Sequence, residues 1–129
     1  MPPEPFQYAV IRVVPRVERG ERVNVGVVLF CRSRRFLGAR IALDPARERA
    51  ILALAPDLDL ETVRAHLEII ARIIDGVANG GPIAELPPAE RFHWVVSPSS
   101  TVIQPSEVHT GVTDDPVVAL DRLFASQVG

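Results

Sequence analysis

The sequence predicts an α+β fold in which helices cover an antiparallel sheet. Three observations lead there. Residues 6–43 alternate apolar and β-branched segments with polar breaks, residues 44–77 carry apolar positions at spacings of three and four, and two Asp-Pro pairs stand where helices would begin. With 129 residues and 47% hydrophobic side chains the chain is long enough to bury a core as one domain, spanning residues 1–129. Residues 1–5, Met-Pro-Pro-Glu-Pro, are expected to form a flexible lead.

Residues 6–15 are rich in aromatic and β-branched side chains and stop at a proline, which suits a strand. The loop 16–21, with Gly20, turns the chain into a second strand, residues 22–31. Period two sets Val23, Val25, Val27 and Leu29 on one face, and Asn24, Gly26, Val28 and Phe30 on the other. A buried Asn needs a partner for its amide, and a glycine beside it implies a bulge or the close approach of another backbone or a ligand. A polar break at Arg32, Ser33 and Arg34 leads to a third strand, residues 35–43, completing an antiparallel meander.

Asp44 and Pro45 start a short helix that stops near Leu54, since the carboxylate can cap free amides and proline needs no donor at the first position. Asp59 opens a longer helix with Leu60, Val63, Leu67, Ile70, Ile74 and Val77 on one stripe, ended by Asn79-Gly80-Gly81-Pro82. Residues 83–90 read as a proline-rich connector and residues 91–96 as a further strand. The stretch 97–113 is polar and irregular, with a short extended piece at 101–104, and Asp115-Pro116 starts a closing helix whose apolar side is Val117, Leu120, Leu123 and Phe124.

Composition narrows the function classes. All 14 basic residues are Arg, and the formal net charge of −2 argues against a general polyanion binder, so nucleic acid is not the expected partner. The lone Cys31 excludes an intramolecular disulfide and a thiolate metal cluster. His66, His93 and His109 lack metal-motif spacing, so neither metal nor cofactor is expected. With no signal peptide and no apolar run of about 20 residues, the expected location is the cytoplasm.

Ser97, Ser99, Ser100 and Thr101 cluster hydroxyls on one loop, where Arg91 could add a bidentate contact to an anion. Hydroxyls in such a loop more often bond their own backbone than a ligand. Ser99 or Ser100 with His109 and Asp114 supplies the residue types of a hydrolase, but without a nucleophile elbow. Arg32, Arg34 and Arg35 form the only basic cluster free of an interleaved acid. The candidate contact residues are therefore Asn24, Arg91, Ser99, Ser100, Thr101 and His109, with Arg32, Arg34 and Arg35 as a candidate basic patch; none is assigned a catalytic role.

The strand from Tyr8, the run Gly20-Glu21-Arg22-Val23-Asn24-Val25-Gly26-Val27-Val28-Leu29, Arg91-Phe92, Ser99-Ser100-Thr101, Val108-His109-Thr110-Gly111 and the segment from Asp115-Pro116 to Leu123-Phe124 together resemble a bacterial family, domain of unknown function 3037. The resemblance covers nearly the whole chain and supplies no catalytic residues. It implies a partner by association, because members are often encoded beside a HipA-like serine/threonine kinase. The expected function is a noncatalytic cytoplasmic binding or accessory protein with a protein partner. The alternatives are an enzyme or sensor acting on a phosphate ester or nucleotide, with His109 and Arg91 in its site, and a nucleic-acid-binding module using Arg32, Arg34 and Arg35.

Overall fold

The computed structural model describes residues 2–76, 81–99 and 101–129. Its elements run β1 (Glu4–Val13), β2 (Val23–Cys31), a 3₁₀ turn (Arg32–Arg34), β3 (Phe36–Ile41), α1 (Pro45–Leu54), α2 (Leu60–Asp75), a second 3₁₀ turn (Pro82–Glu85), α3 (Pro88–Val96), β4 (Ile103–Pro105), β5 (His109–Thr113) and α4 (Pro116–Gln127). The meander, the two central helices and the closing helix stand where the sequence sets them. Glu4 and Pro5 belong to β1 rather than to the flexible lead expected over residues 1–5.

All strand pairs are antiparallel, and the sheet order is β3-β2-β1-β4, with β5 also on β1. β4 pairs with Ile11, Arg12 and Val13, whereas β5 pairs with Glu4 to Tyr8, so the two short strands lie end to end along one edge of β1. The register moves by one residue between them. Ser106 sits at the step, donating its amide to the Val10 carbonyl and accepting the Val10 amide on its hydroxyl at 2.9 Å.

Two hydrophobic clusters, one on each face, account for the layers. On one face Ala9, Ile11, Val13, Val25, Val28 and Phe30 meet Ile51 of α1, the α2 stripe Val63, Leu67, Ile70, Ile73 and Ile74, and Phe92 and Val95 of α3. On the other, Phe6, Val27, Leu29 and Cys31 meet Leu120 of α4, with Ala119 and Leu123 beside it. Since β2 is buried on both faces, it reads as a nearly unbroken apolar run.

The faces of β2 differ from strict alternation because its register against β1 shifts between Ile11 and Arg12. Val25 is the extra residue, so it joins Val28 and Phe30 on the three-helix face, while Asn24 turns to the α4 face. There the Asn24 amide donates to the Gln127 carbonyl at 2.9 Å. Arg47 completes the clamp, donating to the carbonyls of Asn24, at 3.2 Å, and Val128, and to the Asp44 carboxylate. Gly26 answers to a close backbone: a Cβ there would stand 2.8 Å from the Arg40 carbonyl oxygen and 3.0 Å from Ile41 Cγ1.

Residues 91–96, expected as a strand, form most of α3. Pro88 stands in its first turn and Phe92 and Val95 share one buried face at a spacing of three. The apolar run is too short for periodicity alone to separate the two states, and contact with Phe30, 5.6 Å between ring centroids, decides for the helix. The extended piece is β4, slightly later than expected, and the region expected to be irregular contains β5. α2 ends at Asp75 with Gly76 in the left-handed region; the expected stop at Asn79-Gly80 lies outside the described residues.

The helix starts follow the sequence closely. Asp44 accepts the Arg47 amide, Asp59 the amides of Glu61 and Thr62, and Asp115 those of Val117 and Val118. The Asp59 carboxyl is held below its ordinary value first by the Thr62 hydroxyl and then by the Thr62 amide, against the opposing effect of burial, with the Glu61 amide contributing least.

Gly26→Ala should lower stability by about 1 to 3 kcal/mol in urea denaturation, because backbone rather than a yielding side chain stands in the way of the methyl group. For Asp59 the folded value is the lower one, so its contribution is complete above the unfolded value of 3.8 and is lost as pH falls through the folded value. Asp59→Asn keeps a capping oxygen without the charge, so the thermal-stability difference from wild type should close on acidification through that window.

Candidate functional site

The loop after α3 holds most of the hydroxyls that the sequence singles out. Ser97 Oγ donates to the His93 carbonyl at 2.7 Å, closing the last turn of the helix. Thr101 Oγ1 donates to the Ile103 carbonyl at 2.9 Å, so the 2.8 Å contact between the two hydroxyls has Ser99 as donor. Ser99 Oγ in turn accepts the Thr101 amide at 3.2 Å, and the Gln104 amide donates to the Thr101 carbonyl. The loop thus folds on its own hydrogen bonds, and these serines donate to carbonyl or hydroxyl oxygens, not to an imidazole. Ser100 lies outside the described residues.

Clefts open on both sides of this loop. One, of about 300 Å³, lies between the loop and α2 and is lined by His66, Ile70, Trp94, Pro98, Ser99 and Thr101. Trp94 stands on the exposed side of α3 with 46% of its surface in solvent. The other, of about 570 Å³, is bounded by Arg12, His93, Ser97, Gln104 and Glu107. The first is mainly apolar with hydroxyls and an imidazole at its edge; the second carries charge.

Arg12 is the residue that reasoning from sequence passes over. It lies on the central strand opposite Asn24 on one side and Gln104 on the other, so a polar row crosses the sheet on the α4 face. One guanidinium nitrogen donates to the Pro105 carbonyl at 3.1 Å, while Nε is buried with no partner among the described residues. Burial lowers its pKa, and Arg22 lowers it further, against an opposing pull from Glu107. A single charge in the apolar run Val10-Ile11-Arg12-Val13-Val14 was the available signal. Trp94 and His66 offered none: the segment that holds Trp94 reads as a strand, and His66 lies off the apolar stripe of the second helix.

Other candidates are drawn elsewhere. Arg91 caps α2: it donates to the carbonyls of Ile73 at 3.0 Å and Ile74 at 2.8 Å, and to that of Leu86 at 2.9 Å. A Cβ on Gly76 would stand 2.9 Å from the same guanidinium, so the glycine makes room for it as well as for the left-handed turn. Arg91 lines neither cleft, and backbone carbonyls engage its Nε and one of its terminal nitrogens. Asn24 is engaged with α4 as described.

His109 is on β5, its ring 5.3 Å from that of Tyr8 and its Nε2 3.8 Å from the Glu107 carboxylate. It lines neither loop cleft, so the structure does not bring it to Ser99. In the turn between β2 and β3, Arg32 lies over the Phe30 ring at 5.6 Å, Arg34 reaches the Pro2 carbonyl at 3.5 Å, and Arg35 is left-handed with φ of 52°. Arg32 and Arg35 line a cleft together with Phe30 and Pro87 to Ala89, while Arg34 is drawn to the N-terminal segment. Cys31 is buried, with its sulfur 3.5 Å from the Pro5 carbonyl.

Among the described residues no group of three or more His, Cys, Asp and Glu is placed to hold a metal ion, and no helix is long and apolar enough to cross a membrane. What the loop region brings together is an exposed aromatic side chain, hydroxyls held by hydrogen bonds within the loop, and a neighbouring guanidinium. No curated protein matches this chain, and no solved structure does. A family model described as a protein of unknown function, DUF3037, matches residues 8–128, from the middle of β1 to the end of α4, and the chain belongs to that family.

Proposed function

We propose that this protein is a noncatalytic binding or accessory protein that engages a protein partner through the 97–101 loop and the clefts beside it. The observation that carries the reading is Trp94. An indole half in solvent at the mouth of an apolar cleft, next to Pro98 and Pro105, has the character of an interface anchor, since tryptophan supplies large contact area and is enriched among the residues that dominate binding energy. The bonding of the loop supports the same reading. Its hydroxyls are fixed by carbonyl, amide and hydroxyl partners, which suits display of a shape more than activation of a nucleophile. The partner we propose is a HipA-like serine/threonine kinase, the kind of protein encoded beside members of the family, and the compartment is the bacterial cytoplasm.

The test is affinity purification of the tagged protein from its native host at low salt. A kinase should accompany the wild type in stoichiometric amount. Trp94→Ala should reduce its recovery at least about tenfold, which is the loss expected for an interface anchor, and Ser99→Ala should reduce it less. Far-UV circular dichroism should be unchanged in both. Equal recovery with Trp94→Ala would remove this surface from the interaction.

A further inference from the structure

The two edges of the sheet are finished differently. At one edge β3 is flanked by α2 on one face and α4 on the other. At the other edge β4 and β5 pair with β1 alone among the described residues. Pro105 lacks an amide proton and blunts β4, but β5 runs His109-Thr110-Gly111-Val112-Thr113 with no proline and no lysine. Its outward row of backbone amides and carbonyls has no hydrogen-bond partner among the described residues. Natural edges are commonly protected by proline, by charge or by a covering element, because an open row invites another strand.

The side chains on this edge are unusual too. Val112 is 70% exposed and Val108 is 37% exposed. Alternation sets Val108, Thr110 and Val112 on one face and His109 and Gly111 on the other, where Phe6, Tyr8 and His109 form an aromatic row with centroid spacings of 6.0 and 5.3 Å.

We propose that β5 pairs antiparallel with β5 of a second copy of this chain, across a two-fold axis at Thr110, so that two sheets become one. The occupant follows from the segment's self-complementarity. In this register Val108 faces the partner's Val112 and Val112 the partner's Val108, giving two apolar cross-strand pairs. His109 faces the partner's Gly111, which has no side chain to obstruct the imidazole. A register centred on Gly111 would instead oppose Glu107 to the partner's Asp115, two acids directly across from one another. Antiparallel self-pairing is the arrangement a two-fold dimer requires, since each strand presents the same groups to the other.

The interface is short, so the dimer is weak and concentration-dependent, with half-association at about 10 to 500 µM. Sedimentation equilibrium of the full chain, run from about 5 µM to about 1 mM, should show a monomer–dimer equilibrium. Val112→Glu sets two carboxylates against the apolar pairs and should weaken association at least about tenfold; the exposure of Val112 protects the fold, which circular dichroism checks. Oxidation of Thr110→Cys should give a disulfide-linked dimer, because the two thiols would meet on the axis, whereas Thr113→Cys should not. A monomer throughout the range, association unchanged by Val112→Glu, or cross-linking of Thr113→Cys in preference to Thr110→Cys would each overturn the proposal. Trp94→Ala should associate like the wild type, so failure here and failure of the partner reading are separate results.

Discussion

The strands β1 and β2 carry apolar side chains on both faces, and that requirement shapes everything else. A sheet with one wet face needs helices on one side only, but here Ala9, Ile11 and Val28 point one way while Phe6, Val27 and Leu29 point the other. Leaving either set in water would forfeit roughly 25 cal/mol for each Å² of apolar surface. Three helices therefore close one face, and the chain must return at its far end to supply α4 for the other. β1 is also paired on both edges, by β2 and by the β4–β5 strand roughly a hundred residues away, so its folding depends on contacts that are distant in sequence.

A single bulged residue decides where the polar groups fall. Val25 inserts into the β1–β2 ladder and turns Asn24 to the α4 face, where the amide and Arg47 hold the last carbonyls of the helix. Gly26 then lets the end of β3 approach closely. The Val-Asn-Val-Gly-Val run is thus chiefly a joint between the sheet and α4. The polar row it begins continues through Arg12 to Gln104, beside the hydroxyl loop. Architecture and candidate surface are connected there, because the same central strand holds both.

Legibility varied with the range of the interactions. Starts of α1, α2 and α4 could be read from Asp44, Asp59 and Asp115, whose capping bonds span only two or three residues. The α2 stripe was equally plain over four turns. α3 was misread because nine residues with two buried positions do not establish a period, and its helical state depends on Phe92 meeting Phe30. In the candidate site, the loop hydroxyls were visible as a local cluster. The capping role of Arg91 was not, since its partners are the carbonyls of Ile73, Ile74 and Leu86. Nor was Arg12, whose environment is assembled from β2, β4 and the hairpin.

Sequence by itself determined the α+β class, the meander, the helix caps and the presence of a polar amide and a glycine in an otherwise apolar strand. Those properties arise from dihedral preferences, side-chain period and hydrogen bonds between near neighbours. Only the tertiary structure decided that Asn24 faces α4, that β4 and β5 share one edge of β1, that Trp94 stands beside a cleft, and that β5 is the open edge of the sheet. Each of these depends on register and packing between distant segments, and a shift of one residue in a ladder exchanges the faces of a strand.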